Sequence, residues 1–399
     1  MTATVSTTAT ASTTSAAPTP PAVRAELLDC VQSNLAVLAD RHHGPDTHLA
    51  LGATLRFSPV PGPAGLPTVE PPLERELAAI DRLGLVERHS WTGVTGAALA
   101  GLAREHGALY VMADSFEMPW LPYFGHAHME HSFLVEPTAE PGRLLVTDAY
   151  DNHTPWGVTR PLTTEVAAAE LPVASLVALL KPSPTGAPAV APGLEREPPD
   201  DYLAAYAQHP DRLVALERLT VETWLLARSR RLHAAFRAHL GLPEGPEVAA
   251  QLARWGRVAE QAFLALRRVQ RGRPEPQRLR DELAATLAAD GEVFAAPAAS
   301  APAASGATAG DGGRDAGDAA ALRAAVAGIV ASVTRTTVAA VLAAPDLTEL
   351  TGFDSFRVVE IVERLEEHLD ADLDPEDLVP ENLHRLDDLC RLAATTRSS

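Results

Sequence analysis

The stretch from Phe294 to Asp318 reads FAAPAASAPAASGATAGDGGRDAGD, nearly all small residues, Pro and Gly. Such a composition cannot bury enough apolar surface to offset the entropy of ordering it. It reads as a linker over 294–318, with a root-mean-square reach of roughly 25–30 Å if flexible. The chain on either side must therefore build its own cores. A length of 399 residues fits two or three domains, and 46% apolar residues is ample for packing them.

Upstream of the linker the hydrophobic period changes once. From Ala22 to about Pro184 short apolar runs alternate with turn signals. Ala108 to Ala113, Ser132 to Val135 and Leu144 to Thr147 read as strands, the last two joined by a turn from Pro137 to Gly142. From Asp201 to Asp290 the period is helical. It predicts one long helix or two from Leu213 to Leu240, another from Val248 to Val269 and a third from Leu279 to Leu287. The layout is a tail over 1–21, a mixed α/β domain over 22–198, a helical domain over 199–293, the linker, and a last domain over 319–399.

Several function classes are disfavoured. A net charge of −19 argues against nucleic acid, where a basic face must displace counterions. No apolar run approaches the roughly 20 residues of a membrane span. Met1 to Pro20 lacks a basic start and an apolar core, so it reads as a disordered tail and not a signal peptide, and the expected compartment is the cytoplasm. Cys30 and Cys390 at opposite ends of the chain do not make a disulfide framework.

Beyond the linker, Ala319 to Leu342 reads as an amphipathic helix. Leu350-Thr-Gly-Phe-Asp-Ser-Phe follows, and then Val358, Val362, Leu365 and Leu369 fall on one helical face. Pro375 to Val379 reads as a short third helix. Leu383, Leu386, Cys390 and Ala393 supply the apolar face of a fourth. The Gly352-Phe-Asp-Ser355-Phe core resembles the acyl and peptidyl carrier protein signature, and the resemblance spans Ala319 to Thr395. It implies a four-helix carrier bundle with 4'-phosphopantetheine attached to Ser355. The bland alternative is an acidic helical bundle in which Ser355 is only an N-cap.

Two features in the first domain carry chemistry. Asp29 is a plausible N-cap for a helix beginning at Cys30, with Gln32 placed to close a capping box. A thiol in that first turn would feel the positive end of the helix dipole, which lowers its pKa. A buried structural cysteine is the alternative. The second feature is Gly125-His-Ala-His-Met-Glu-His131, which runs into one strand, while Asp148 ends its hairpin partner. Across the ladder the carboxylate can orient the imidazole, and the imidazole can deprotonate a thiol. The competing reading of His126, His128 and His131 with Glu130 is a zinc site of H-x-H-x-E-H form, though no second ligand cluster is evident and no metal is expected. Asp114, at a strand end, could bind a substrate amine or simply form a turn. His126 and His128 could line the mouth of an active site.

The stretches Ala113-Asp-Ser-Phe-Glu-Met-Pro, Tyr123 to Val135 and Val146-Thr-Asp-Ala-Tyr150 resemble the butirosin-type acyltransferase family. The resemblance covers Leu27 to Asp290. It implies a papain-like enzyme that moves an acyl group from a carrier thioester to an amine. Carried over, Cys30 is nucleophile, His131 general base and Asp148 its orienter, with Asp114 and His128 as candidate substrate contacts. The fold class implied is an α+β papain-like domain with an appended all-α domain, plus the four-helix carrier bundle. Two departures stand out. No Gln precedes Cys30 in Arg24 to Asp29, and Glu136-Pro137 replaces a Gly-Tyr-Asp turn. The Cys30 amide is then the candidate oxyanion donor.

The expected function is an amide-forming acyl or aminoacyl transfer in natural-product (antibiotic) biosynthesis, from Ser355 through Cys30 to an amine. The alternatives are a thioesterase on the same Cys30 and a non-catalytic scaffold that presents the carrier. Implied partners are a phosphopantetheinyl transferase, an enzyme that loads the arm, and a small-molecule amine acceptor. Residues 319–399 hold 15 acidic and 7 basic side chains, and 201–280 hold 14 arginines against 8 carboxylates. That asymmetry suggests docking of Glu360, Glu363 and Glu367 on Arg228, Arg230, Arg231, Arg267, Arg268 and Arg271. Local helical ion pairs are the alternative.

Overall fold

Asp29 stands in extended conformation and its carboxylate accepts the amides of Val31 and Gln32, which starts helix α1 (Cys30–His43) where expected. Among the described residues the cap is made by Asp29 alone, with no return bond from the Gln32 side chain. The computed structural model describes residues 22–71, 80–154, 156–242, 245–295, 316–350, 353, 355–374, 377–378 and 380–397. The expected tail over 1–21, linker residues 296–315, and Gly352, Asp354 and Pro375 of the carrier segment lie outside them.

The α/β part contains β1 (Thr54–Phe57), β2 (Val60–Pro61), β3 (Pro67–Thr68), β4 (Leu85–Trp91), α2 (Gly96–His106), β5 (Leu109–Asp114), β6 (Glu130–Pro137), β7 (Arg143–Asp148), β8 (Asn152–Thr154), β9 (Gly157–Thr159), β10 (Leu162–Ala167), β11 (Leu176–Pro182) and β12 (Gly193–Arg196). Six strands form one antiparallel sheet in the order β10-β7-β6-β5-β11-β4. Side chains alternate between its faces with the period of two that a strand imposes. Tyr110, Met112, Leu134, Ala178 and Leu180 pack with Leu35 and Leu38 of α1. Leu109, Val111, Phe133, Val135, Leu144 and Val146 pack with Leu99, Ala100 and Ala103 of α2. All three strands expected from the sequence are present.

The helical segment comprises α3 (Asp200–Gln208), α4 (Arg212–His239), α5 (Pro246–Gln270) and α6 (Arg278–Ala295). The run expected as one helix or two from Leu213 is a single helix, and Leu240 is its C-cap. Residues on either side of position 199 share cores. Phe57 and Leu66 join Tyr202, Leu216, Trp255 and Leu283, and Leu55 joins Ala234, Val248 and Phe294. β1 also pairs in parallel with β12. The linker is shorter than its composition suggests. Phe294 is buried at the end of α6, and α7 (Ala316–Thr334) begins before 319.

The carrier bundle continues with α8 (Val338–Ala343), α9 (Ser355–Leu369), α10 (Pro380–Leu383) and α11 (Leu386–Arg397). The run from Ala319 to Leu342, expected as one helix, is two. Arg335 takes a positive φ of 55°, which breaks the helix, and Thr337 caps the next by accepting the Ala340 amide. Of the short third helix expected over Pro375 to Val379 only Asp377 and Leu378 lie among the described residues, with Asp377 in a helical turn, and a further short helix spans Pro380–Leu383. Val358, Val362, Leu365, Leu383, Leu386 and Ala393 are buried together, and Cys390 packs against them as plain core.

The carrier rests on α5. Leu264 lies within the carrier core cluster and Phe263 packs against it. Glu363 accepts Arg267 at 3.1 Å and Arg271 at 2.6 Å. Glu366, almost fully buried, accepts Arg268 at 3.3 Å, Arg273, and the Leu373 amide at 3.1 Å. Of the expected docking groups, Glu363, Arg267, Arg268 and Arg271 are in this contact. Glu360 instead pairs with Arg357 and Arg364 of its own helix. Arg230 is buried against Asp290 at 2.7 Å, and Arg228 is bound near Cys30. Glu366 takes the role foreseen for Glu367 because it is on the face of α9 buried against α5, whereas Glu367 is exposed.

Removing one member of a buried ion pair leaves the other uncompensated, at a cost of about 3–5 kcal/mol. Glu366→Lys should therefore release the carrier from α5 and increase the radius of gyration measured by small-angle scattering. An unchanged radius would show that the ion pairs do not hold the two bodies together.

Candidate active site

The ladder brings His131 and Asp148 together. Leu134 faces Thr147 in the β6–β7 register, so one step further Phe133 faces Asp148. His131 is then the diagonal neighbour of Asp148 on the same sheet face, within reach of a ring. His131 Nε2 lies 2.8 Å from Asp148 Oδ2, and both side chains are buried. The carboxylate accepts, so Nε2 carries the proton and Nδ1 keeps a lone pair. Nδ1 is buried and has no hydrogen-bond partner among the described residues.

Two further donors hold Asp148. Trp120 Nε1 binds Oδ2 at 3.0 Å and the Tyr150 amide binds Oδ1 at 3.0 Å. The amide between Asp148 and Tyr150, that of Ala149, donates instead to Asn34 Oδ1 at 3.1 Å. Asn34 also donates to Ser132 O at 2.8 Å and Ser132 Oγ at 3.0 Å. Ser132 Oγ in turn donates to Cys30 O at 2.5 Å. Half-buried Cys30 places Sγ 3.7 Å from Glu130 O. The nucleophile candidate thus contacts the residues on both sides of His131. Trp120, Asn34 and Tyr150 were not singled out from the sequence. Asn34 had a signal, since it is a polar residue one turn after Cys30 and directly before the apolar run Leu35-Ala-Val-Leu.

The thiol departs from expectation. Burial pushes the Cys30 thiol well above its ordinary value, and the negative charges of Asp29, Glu70 and Asp148 push the same way, with the Cys30 amide opposing. The helix dipole does not win, so Cys30 rests as a thiol and needs a base. Burial likewise raises Tyr150 and Tyr123 above the usual phenol range.

The remaining histidines go to separate partners. His126 stacks on Trp156 with ring centroids 6.0 Å apart. His128 binds Asp114 at 2.6 Å and stacks on Phe116. Asp114 also accepts the amides of Phe116 and Met129. Glu130 accepts from Ser175 Oγ. Asp114 and His128, the candidate substrate contacts, therefore bind one another and brace the loop entering β6. Among the described residues no group of three or more His, Cys, Asp or Glu converges as a metal site. No helix among them is long and apolar enough to cross a membrane.

Beside the start of α1 lies a cavity of about 140 Å³ lined by Asp29, Gln32, Arg56, Arg82, Arg228 and Leu232, among others. Burial raises Asp29 to about 6, against the lowering effect of the amides it caps.

Residues 324–393 match the family described as phosphopantetheine attachment site. The match covers most of the carrier bundle, and this domain is where 4'-phosphopantetheine is attached. Ser355 is the first residue of α9, where unpaired first-turn amides and the helix dipole suit a phosphate ester. No curated protein matches the chain.

The raised Asp29 value has a sign that can be tested. Between 3.8 and about 6 the folded chain holds a proton there that the unfolded chain has released. Stability is therefore lost as pH rises through that window, by up to about 3 kcal/mol at about 1.4 kcal/mol per unit. Asn caps a helix as well as Asp does. Asp29→Asn should gain Tm relative to wild type between pH 4 and pH 7, as the wild-type carboxylate ionises. A constant Tm difference across that range would show that Asp29 titrates normally.

Proposed function

We propose that this chain is a cysteine-dependent acyltransferase that draws an acyl or aminoacyl group from its own carrier domain and delivers it to an amine. The observation that carries the reading is the buried His131 ring. Asp148 holds its Nε2, its buried Nδ1 has no hydrogen-bond partner among the described residues, and Cys30 contacts both of its chain neighbours. A nucleophile-bearing helix packed on an antiparallel sheet that carries the base and its orienter is the arrangement of papain-like enzymes. It supports the resemblance to the butirosin-type family.

The arm on Ser355 supplies the acyl group as a thioester. His131 Nδ1 takes the Cys30 proton while Sγ bonds to the acyl carbon. The bond from that carbon to the arm breaks, and the departing sulfur takes the proton from Nδ1. The acyl group now sits on Cys30. An amine then bonds to the same carbon, the bond to Sγ breaks, and His131 carries a proton from the amine nitrogen to the Cys30 sulfur. Asp148 stabilises the imidazolium in each half without taking its proton. The Cys30 amide, at the start of α1, is the oxyanion donor. With carrier and enzyme in one chain, the effective concentration of donor reaches roughly the mM range.

Ser355 is the attachment residue in this scheme. A phosphopantetheinyl transferase modifies it, and a separate enzyme loads the arm. Such a two-site chain suits the assembly of amide-bearing natural products, including antibiotics.

A phosphopantetheinyl transferase with coenzyme A should add one arm to the wild type and none to Ser355→Ala, read by intact mass. Cys30→Ala should abolish turnover of the loaded carrier while loading continues. His131→Ala should lose about 10²–10⁴-fold. Asp148→Asn should lose less, because an amide oxygen still accepts from Nε2. Full turnover in Cys30→Ala would sink the proposal.

A further inference from the structure

Arg228 projects from the middle of α4 and reaches two segments that are far apart in the chain. Its Nη1 donates to Ala25 O at 3.1 Å and to Leu28 O. Its Nη2 donates to Asp151 O at 2.7 Å and faces Asn152 Oδ1 at 3.5 Å. The guanidinium lies 4.3 Å above the Trp224 ring, and Trp224 packs on the cluster that contains Tyr150 and borders Cys30. Leu28 is two residues before Cys30, and Asp151 is three residues after Asp148. One planar fork therefore joins the segment leading into the nucleophile to the segment leaving the orienting acid.

These hydrogen-bond acceptors are all neutral oxygens. Desolvating a cation against neutral oxygens costs stability. Burial lowers the Arg228 pKa, and the nearby carboxylates of Asp29 and Asp151 oppose that shift. A contact serving the fold alone could be apolar. What an arginine adds is geometry, because five donors in a rigid fork hold several carbonyls at fixed separations.

We propose that Arg228, supplied by the appended helices, is a positioning residue that sets the placement of Cys30 relative to the His131–Asp148 pair. Nothing in the proposal requires Arg228 to touch the acyl group. It rests on the reading of Cys30 as nucleophile. Lysine cannot substitute, since a single ammonium cannot bridge Leu28 O and Asp151 O in the same way.

The test uses the full chain with Cys390→Ser, so that Cys30 is its one cysteine, carrying the loaded arm for transfer and lacking the arm for alkylation. Arg228→Ala and Arg228→Lys should both slow transfer of the acyl group from the arm to Cys30, by about 10²-fold, as expected for misplaced reacting groups. The KM for the amine should be unchanged. Guanidinium ion should restore part of the rate in Arg228→Ala, whereas sodium at equal concentration should not. Alkylation of Cys30 by iodoacetamide should shift its midpoint down towards the ordinary thiol range as the segment loosens. Wild-type transfer and an unmoved alkylation profile in Arg228→Ala would overturn the proposal. So would loss of the folded state in both variants without recovery on adding guanidinium. If Cys30→Ala transfers normally, the nucleophile reading fails, while the alkylation profile still reports whether Arg228 governs the Cys30 environment.

Discussion

A buried amide side chain must find partners, because leaving one unpaired costs about 1–3 kcal/mol. Asn34 is fully buried and bonds Ser132 on β6 and the Ala149 amide just beyond β7. These bonds fasten α1 to two neighbouring strands at one height. Cys30 is four residues, about one helical turn, before Asn34 on the same helix. His131 precedes Ser132 and Asp148 precedes Ala149. The relative placement of all three candidate catalytic side chains therefore follows from where one amide is satisfied.

That placement determines which chemistry is available. The first turn of a helix favours a thiolate, but here burial and three carboxylates act in the opposite direction and raise the thiol. A raised thiol gains from a base that can remove its proton during attack. His131 has the lone pair at Nδ1, and Asp148 fixes the tautomer that leaves it there. Asp148 accepts from Trp120 and the Tyr150 amide as well, so the carboxylate is itself held in place. The carrier sits on the opposite end of the helical hairpin from the α4–α5 turn, through Glu363 and Glu366 in the second half of α9. The first turn, with Ser355, is two or three helical turns away from that contact.

Much of this was legible in the residues. The three strands around the site, the helix start at Asp29, the His131–Asp148 pairing and the apolar face of α9 follow from local pattern, and they are present. Other features depend on tertiary context. Nothing local distinguishes Trp120 or Arg228 from any other aromatic or basic residue, because their roles arise from segments that meet only in the fold. The direction of the Cys30 shift was misjudged for the same reason. A dipole can be read from an N-cap, whereas desolvation depends on what covers the thiol. The charge asymmetry correctly pointed to contact between the carrier and the arginine-rich helices, but choosing Glu366 over Glu367 required knowing which face of α9 turns towards α5. The break at Arg335 has no strong breaker residue to announce it.

The central claim is that an acyl group moves from the carrier to Cys30. It is tested most directly by loading the arm with an isotopically labelled acyl group, quenching in acid before any amine is added, and mapping the label by peptide mass spectrometry. The account predicts a labelled peptide containing Cys30 that disappears in Cys30→Ala and in Ser355→Ala. Label confined to the Ser355 peptide at all times, in a chain that still consumes its loaded carrier when an amine is supplied, would contradict it.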